Sequence, residues 1–224
     1  MANVLVTGAN RGIGLEIVRQ LVARGDQVIA VVRSSTDELA KTGARIIDGI
    51  DVGDDASVAK LGERVGDVQL DVVINNAGIL MTDSLSALDL DGVRKQLEVN
   101  ALGPLRVTAA LLGKLRDGGK IALVTSRMGS IADNGSGGAY GYRMSKAALN
   151  MAGVSLARDI ASRKIAVVIL HPGMVATDMT ARFGNQSAMV RPEDAARGLV
   201  ARIDELTLDK SGSFLHANGE ALPW

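Results

Sequence analysis

A serine, a tyrosine and a lysine in the middle of the sequence have the residue types and spacing of an acid–base site. Ser126 follows an apolar run at 120–124 that predicts a buried strand. Tyr142 and Lys146 lie four residues apart in a helical pattern that begins near Gly141, so their side chains share one face of that helix. A hydroxyl, a phenol and an ammonium group in one small volume could bind a carbonyl oxygen and deliver a proton to it.

Carbonyl reduction explains what each of these groups would do. The reaction needs a hydride, and it needs a proton donor for the oxygen as negative charge develops there. A free tyrosine titrates near ~10, so we expect the Lys146 ammonium, together with the positive charge of an oxidised hydride carrier, to lower the pKa of Tyr142. Ser126 would orient the carbonyl oxygen by a hydrogen bond and would not act as a nucleophile. Each residue alone is more often a turn or surface residue, but together they predict catalysis.

Strand and helix patterns alternate along the whole chain. Short apolar runs predict strands at 3–7, 27–32, 44–47, 70–74, 120–124, 165–170 and 213–216. Helical spacing appears from the first glycine loop to about Arg24, and at 55–65, 90–115, 141–162 and 192–206. Strands that are apolar on both faces predict a parallel sheet covered by helices on both sides. We therefore predict an α/β fold, with a doubly wound sheet of about seven strands, in a single domain over residues 1–224.

Composition excludes several classes of function. The 224 residues are 47% apolar and 22% charged, as in globular proteins, and the formal net charge is zero. The balanced charge argues against nucleic acid or anionic lipid as a partner. The absence of cysteine excludes disulfides and thiolate chemistry, and no metal site is predicted. No apolar run is long enough to span a membrane, and the first residues enter a strand directly, so a cytoplasmic location is expected.

Three glycines follow the first predicted strand. Gly8, Gly12 and Gly14 stand at its junction with a helix, where bare backbone lets a pyrophosphate reach the N-terminal amides and the positive end of the helix dipole. Their spacing, G-x-x-x-G-x-G, differs from the usual G-x-G-x-x-G, and a tight turn alone would also need glycine. Because they lie at the first strand–helix junction of an α/β chain, we predict a dinucleotide site.

Two arginines indicate which dinucleotide binds. An acidic residue after the second strand would hold the ribose 2′-hydroxyl of NAD, but Arg33 stands there. A guanidinium favours a 2′-phosphate through charge-assisted hydrogen bonds, and Arg11 in the glycine loop would add a second positive charge. Either arginine alone could be a solvated surface residue. Together they predict NADP(H) rather than NAD(H).

Several motifs together resemble one enzyme family. They are TGANRGIG at 7–14, NNAG at 75–78, Asn100, Ser126, Tyr142 with Lys146, and His171-Pro172-Gly173 followed by Thr177. Over almost its whole length the chain resembles the short-chain dehydrogenase/reductase family. Within that family it is similar to the C-factor group, which is related to the small carbonyl reductases.

The resemblance implies a Rossmann fold, a nicotinamide cofactor and a defined set of site residues. The implied catalytic set is Asn100, Ser126, Tyr142 and Lys146. The cofactor-binding residues, including those reached above, are Gly8, Asn10, Arg11, Gly12, Ile13, Gly14, Arg33, Asp51, Val52, Asn76, Ala77, Gly78, Tyr142, Lys146, Pro172, Gly173, Val175 and Thr177. Of these, Asp51 and Val52 would lie beside the adenine. A homodimer through the helices at 90–115 and 141–162 is expected by analogy.

Asn100 has a separate argument from helix geometry. Pro104 lies four residues later in a helical pattern and has no amide hydrogen to donate to the carbonyl of residue 100. That free carbonyl could hold a water that connects Lys146 to solvent as a proton relay. A kink without a function is the alternative.

The serine assignment stays open at this point. The gap between Ser126 and Tyr142 is longer than in most of the family, so Ser130 is a rival for the catalytic serine. We favour Ser126 because it ends the strand. Tyr140 is not a rival for the phenol, because Met144 rather than a lysine lies four residues after it. His171 is expected to be structural.

The predicted function is an NADPH-dependent carbonyl reductase, reversible as an alcohol dehydrogenase. Its small-molecule substrates would be aldehydes or ketones with apolar substituents, bound under a substrate loop at about 175–190 that three methionines flank. The alternative is a signalling or redox-sensing protein that binds NADP(H) without turnover. The intact Ser126, Tyr142 and Lys146 count against that alternative.

Overall fold

Seven parallel strands form one sheet in the computed structural model, which describes residues 1–224. They are β1 (Asn3–Thr7), β2 (Gln27–Val31), β3 (Arg45–Ile47), β4 (Leu70–Asn75), β5 (Leu115–Val124), β6 (Ala166–His171) and β7 (Ser213–His216). The strand order is β3-β2-β1-β4-β5-β6-β7, and every neighbouring pair is parallel. The order reverses between β1 and β4, so the predicted doubly wound sheet is confirmed.

Eight α-helices connect the strands. They are α1 (Gly12–Ala23), α2 (Asp37–Ala40), α3 (Asp55–Ala59), α4 (Leu61–Val65), α5 (Leu90–Leu97), α6 (Gly103–Leu111), α7 (Tyr140–Asp159) and α8 (Pro192–Asp204). Helix α1 stops where the sequence predicts, because Gly25 takes the left-handed conformation (φ 93°) that ends a helix. None of the helices combines the length and the apolar composition needed to cross a lipid bilayer.

Both faces of the sheet are buried against helices. Two clusters of 24 and 22 buried residues lie on opposite faces, so the helices cover the two sides about equally. In β1, Val4 and Val6 belong to one cluster and Leu5 to the other. This alternation explains why the strands are apolar throughout, and burial of such side chains contributes about 25 cal/mol per Å².

The prediction of one continuous helix at 90–115 is wrong in the interior of that range and at its end. A π-helical turn, Glu98–Leu102, separates α5 from α6, and the amide of Gly103 donates to the carbonyl of Glu98, five residues back. Pro104, at the start of α6, has no amide hydrogen, so the helix accommodates it by widening one turn. The helix ends at Leu111, and Leu115 already belongs to β5.

Strand β5 is longer than the run predicted at 120–124. Its pairing with β4 shifts register between Leu70 and Val72, and two glycines on β5 account for the irregularity. Gly118 has φ 79°, and a Cβ on Gly119 would lie 2.9 Å from the carbonyl oxygen of Arg116. The Asp-Gly-Gly segment looks like a turn in the sequence but is a bulge inside the strand.

Helix α7 lies directly on the sheet at Gly153. A Cβ at this position would lie 2.5 Å from Cγ1 of Ile169 in β6 and 2.9 Å from Cδ1 of Leu123 in β5. Such distances are shorter than any normal contact, so the helix could accept a methyl group only by moving away from the sheet.

We therefore expect Gly153→Ala to lower the free energy of unfolding by about 1–3 kcal/mol, the usual effect of overpacking a core. Chemical denaturation followed by circular dichroism measures this change. The matched control is Gly113→Ala, because a Cβ at Gly113 would meet no atom within 4 Å. Equal stability of the two variants would contradict the close helix–sheet contact.

Candidate active site

Most of the predicted site residues lie at the carboxyl edge of the sheet, whereas Asn100 lies in the π-helical turn and Tyr142 and Lys146 lie on α7. The glycine loop follows β1, Arg33 follows β2, Asp51 and Val52 follow β3, and the segment 76–78 follows β4. Ser126 follows β5, and the segment 172–177 follows β6. A parallel sheet puts the ends of all its strands at one edge, which is why residues so distant in sequence meet there.

The loop after β1 and the loop after β4 are in direct contact at the point where the strand order reverses. A Cβ on Gly8 (φ 66°) would lie 2.7 Å from Cα of Ala77, and one on Gly14 would lie 2.2 Å from the carbonyl oxygen of Gly8. A side chain at either position would push the turn apart. These two glycines are therefore required by the turn itself.

Four hydrogen bonds hold the two loops together. Oγ1 of Thr7 accepts from the amides of Asn76 and Ala77, each at 3.1 Å. Nδ2 of Asn76 donates to the carbonyls of Thr7 and Gly8, also at 3.1 Å. The side chain of Asn76 is thus used for holding the glycine loop.

The start of α1 fits a pyrophosphate. Arg11 occupies the N-cap position, but no side chain caps the helix, so amides of the first turn have no local acceptor. Gly12 has φ 54°, and a Cβ there would lie 3.3 Å from Cγ2 of Thr177. The glycine loop and the segment after β6 are therefore close together at this point. Bare backbone at a helix N-terminus is the chemistry that binds phosphate groups.

The two predicted phosphate-binding arginines are exposed and lie in separate ion pairs. Nη1 of Arg11 is 2.8 Å from Asp178, and Nη1 of Arg33 is 3.9 Å from Asp51. Their side chains are 68% and 65% exposed, so both guanidinium groups can turn toward an anion at low cost. Asp51 also accepts a hydrogen bond from the amide of Gly53.

Tyr142 and Ser126 form the centre of the site. Tyr142 is only 9% exposed, and burial raises its pKa to about 12, with a hydrogen bond to Ser126 acting in the opposite direction. The prediction that Lys146 and an oxidised nicotinamide lower this pKa concerns the cofactor-bound protein and stays a prediction; in the chain by itself, loss of hydration raises the pKa of Tyr142. At neutral pH the phenol is therefore protonated, as a proton donor must be.

Of the two serines, Ser126 is the one that lowers the pKa of Tyr142, against the effect of burial. Its hydroxyl also accepts from the amide of Met128 at 3.2 Å. Ser130 is buried too, but its hydroxyl accepts from the amide of Asp133 at 3.0 Å and so stabilises a turn.

Lys146 is buried with its ammonium group held by the end of β5. It is 4% exposed, Nζ donates to the carbonyl of Val124 at 3.0 Å, and it lies 5.8 Å from the centroid of the Tyr142 ring. Burial lowers the pKa of Lys146 to about 8, so the group is mostly charged at neutral pH.

Asn100 lies in the π-helical turn and its side chain is fully engaged. Oδ1 accepts from the amide of Ile79 at 2.8 Å, and Nδ2 donates to the carbonyl of Ile79 and to Oγ of Ser145. A Cβ on Gly78 would be 3.2 Å from Oδ1 of Asn100 and 3.6 Å from Nζ of Lys146. The structure thus brings Gly78, Asn100 and Lys146 together.

The segment predicted as the substrate loop begins and ends in a parallel bridge between Val175 and Val190. Thr180 fixes its first turn, because its hydroxyl donates to the carbonyl of Val175 and accepts from the amide of Thr177. The two methionines before and within this loop, Met174 and Met179, are 56% and 38% exposed. The loop therefore presents apolar side chains to the outside of the fold.

A comparison with known protein families decides what this arrangement is. The family model described as short chain dehydrogenase matches residues 2–188, which is most of the chain. The chain belongs to the short-chain dehydrogenase family. It is an oxidoreductase of that family, as the motifs around the glycine loop and Tyr142 predict.

Three relatives show where the chain lies within the short-chain dehydrogenases. It is 45% identical to 1-hydroxy-2-glutathionyl-2-methyl-3-butene dehydrogenase of Rhodococcus sp. over the full length of both chains. It is 46% identical to C-signal of Myxococcus xanthus, over 69% of this chain and 93% of that protein. The crystal structure of NADPH-bound carbonyl reductase from chicken fatty liver matches with a TM-score of 0.90 and 31% identity, covering 100% of this chain and 99% of that one. The predicted C-factor-like group is confirmed by these similarities.

Sequence reasoning missed several residues that support this short-chain dehydrogenase site. Ser145 donates to the carbonyl of Tyr142 at 2.8 Å, Gln96 accepts from the amide of Met81, and Asp83 accepts from the amides that begin α7. Ser145 could have been found, because it lies between Tyr142 and Lys146. The partners of Gln96 and Asp83 are set by tertiary packing and have no local signal.

His171 ends β6 and packs against His216, as expected of a structural residue. Its ring meets that of His216 edge-on, with the centroids 5.0 Å apart, and its buried Nδ1 has no hydrogen-bond partner. Burial lowers the pKa of His171 to about 3, and the neighbouring His216 and Arg127 act in the same direction. The folded chain therefore holds this imidazole in its neutral form.

This burial makes stability depend on pH. An unfolded histidine takes up a proton near pH ~6.5, so acidification favours the unfolded chain below that pH. We expect this group alone to lower the free energy of unfolding by about 2 kcal/mol between pH 7 and pH 5. Urea titrations at both pH values, on wild type and His171→Asn, measure the difference. His216→Asn should keep most of the pH dependence, and an unchanged pH dependence in His171→Asn would contradict the assignment.

Proposed function

We propose that this short-chain dehydrogenase is an NADPH-dependent carbonyl reductase that also works in reverse as an alcohol dehydrogenase. The observation that carries the proposal is that the phenol of Tyr142 is buried together with Ser126 and Lys146, with Nζ of Lys146 5.8 Å from the centroid of its ring. A proton donor beside a dinucleotide site is what the reduction of a carbonyl requires.

NADP(H) is the proposed cofactor. The glycine loop would hold its pyrophosphate at the start of α1, and Arg11 and Arg33 would bind the 2′-phosphate with guanidinium groups that are mostly solvated. Asp51 and Val52 would lie beside the adenine, and the segment 76–78 along the cofactor. The carbonyl reductase from chicken fatty liver, whose structure is similar, contains NADPH.

The proposed mechanism assigns one task to each polar group. Bound NADPH supplies the hydride. Ser126 donates a hydrogen bond to the carbonyl oxygen and holds it beside the phenol of Tyr142, which gives up its proton as negative charge builds on that oxygen. One hydride and one proton together convert the carbonyl to an alcohol, leaving a tyrosinate.

The charge of Lys146 matters at the tyrosinate stage. Its ammonium group, fixed on the Val124 carbonyl, stabilises negative charge on the phenolic oxygen as it forms. Asn100 keeps its proposed relay role through its backbone carbonyl, because its side chain already binds Ile79 and Ser145. The proton that returns Tyr142 to its neutral form would come from solvent by way of Lys146.

We propose aldehydes and ketones with apolar substituents as substrates, in keeping with the exposed methionines before and within the substrate loop. A panel of such carbonyls, followed by NADPH absorbance, tests the activity. The panel should include a 2-glutathionyl alcohol assayed with NADP⁺, since the name of the Rhodococcus relative describes such a compound.

The second candidate function is signalling or redox sensing through NADP(H) binding without turnover. The 46% identity to C-signal favours it. NADPH binding with no turnover on any member of the panel would support this candidate over the reductase.

The homodimer expected through α5 to α7 also stays a proposal. Met144 and Met151 are exposed on α7, and a second copy of the chain could cover their side chains.

We expect Tyr142→Phe to lower kcat by about 10²- to 10⁴-fold, the usual contribution of a general acid. NADPH affinity, measured by fluorescence titration, should stay close to that of wild type, because only the hydroxyl is removed. Tyr140→Phe is the matched control, since its exposed side chain has no lysine one turn later. Full activity in Tyr142→Phe would rule out the assigned proton donor.

We expect the double variant Arg11→Ala/Arg33→Ala to raise KM for NADPH about 10-fold or more, because charge-assisted hydrogen bonds to the 2′-phosphate are lost. KM for NADH should not change. Initial rates with both cofactors measure the effect, with Arg19→Ala on the outer face of α1 as control. A wild-type enzyme that prefers NADH would refute the cofactor assignment.

A further inference from the structure

The first turn of α7, the helix that carries Tyr142, has no cap of its own. Ala139 at the N-cap position has a left-handed backbone (φ 47°), which is costly for a residue with a Cβ, and its side chain makes no capping bond. The amides at the start of a helix need acceptors when they are withdrawn from water. Here the acceptor comes from another part of the chain.

Asp83 accepts from three consecutive amides at this helix start. The amide of Ala139 donates to its backbone carbonyl at 3.2 Å. The amide of Tyr140 donates to Oδ1 at 2.5 Å, and that of Gly141 donates to Oδ2 at 2.8 Å. A carboxylate at this position also interacts favourably with the positive end of the helix dipole. One residue, more than fifty positions earlier in the sequence, therefore replaces the whole local cap.

Glycine at position 141 is a consequence of this contact. A Cβ there would lie 2.9 Å from Oδ2 of Asp83 and 2.5 Å from Nε2 of Gln96. The helix start, the Asp83 carboxylate and α5 are thus packed without room for a methyl group. The close fit limits how far the first turn of α7 can shift while Asp83 stays in place.

The loop that carries Asp83 is itself fixed at two points before it reaches the helix. Asn100 holds both polar backbone groups of Ile79, and Oε1 of Gln96 accepts from the amide of Met81 at 2.9 Å. Asp83 is therefore presented from a braced segment, and its position is set by residues on α5 and the π-helical turn.

Tyr142 and Lys146 depend on this cap to different degrees. Tyr142 is the third residue of α7 and lies in the turn that Asp83 holds. Lys146 lies one turn further along and has its own anchor on the Val124 carbonyl. We propose that Asp83 is a positioning residue for Tyr142, one that acts by fixing the helix start and touches neither cofactor nor substrate. The inference rests on the proposed reductase activity.

The test compares Asp83→Ala and Asp83→Asn with wild type. Misplacing a reacting group by about 1 Å can cost about 100-fold in rate, so we expect kcat of Asp83→Ala to fall by about 10- to 100-fold. The Kd for NADPH should not change, because the glycine loop and Lys146 are held independently. Asp83→Asn keeps one acceptor oxygen and should recover part of the lost rate.

A matched control is available on the same loop. Asp89 caps α5 through the amide of Gly92 at 3.0 Å, a bond of the same kind on a helix that carries none of the predicted catalytic residues. Asp89→Ala should lower thermal stability about as much as Asp83→Ala does while keeping the wild-type kcat. Hydrogen exchange should become faster at amides 139–143 in Asp83→Ala and should stay slow there in Asp89→Ala.

Two results would overturn the positioning role. One is equal kcat in Asp83→Ala and Asp89→Ala; the other is unchanged exchange at amides 139–143 in Asp83→Ala. A wild-type protein that reduces none of the carbonyls would instead refute the proposed function. The exchange experiment would then still decide whether Asp83 fixes the turn that carries Tyr142.

Discussion

The structure depends on the close contact between the ends of β1 and β4. Four hydrogen bonds join the segment Thr7–Gly8 to the segment Asn76–Ala77 across this junction. A Cβ on Gly8 would lie 2.7 Å from Cα of Ala77, so the two backbones approach too closely for any side chain there. The cleft of a doubly wound sheet opens at the point where the strand order reverses. Because the two loops are tied together there, the start of α1 and the segment 76–78 form one rigid floor for a dinucleotide.

The second constraint is the removal of two ionisable groups from water. Burial acts on Tyr142 and Lys146 in opposite directions, raising the pKa of the phenol and lowering that of the amine. Both shifts favour the neutral forms, so the chain alone holds a protonated phenol beside an ammonium that loses its charge more easily than a solvated lysine. Such a pair suits a site in which a proton leaves one group during the reaction and must be replaced afterwards.

Most of the fold could be predicted from sequence because its signals are local. Apolar runs, the glycine at the end of α1 and the strand–helix alternation follow from residue periodicity and backbone preference. The errors came where tertiary pairing overrides local pattern. Gly118 and Gly119 look like a turn but form a bulge, because β5 continues its pairing with β4 on both sides of them.

For the candidate site, too, the residues with local signals could be predicted from sequence and those set by tertiary contacts could not. Tyr142, Lys146 and the three glycines of the loop have fixed spacings, so they could be identified from the chain alone. The partners that hold them could not, because Asp83 reaches α7 and Asn100 reaches Ile79 only in the folded chain. The raised pKa of Tyr142 in the chain by itself could not be predicted either, since spacing reports a nearby ammonium but not the depth of burial.

Tyr142 and Lys146, which are buried, and His171, which is half-buried, also set the pH range in which the fold is most stable. His171 has a lowered pKa, so the free energy of unfolding falls as the pH drops below about 6.5, where the unfolded histidine takes up a proton. Lys146 has a lowered pKa, so between about pH 8 and pH 10.5 it is neutral in the folded chain and still charged in the unfolded chain. The free energy of unfolding therefore rises with pH over this range. Tyr142 has a raised pKa, so its contribution to the free energy of unfolding declines above pH ~10, where the unfolded tyrosine ionises. Together these groups make the folded enzyme more tolerant of mildly alkaline than of mildly acidic surroundings.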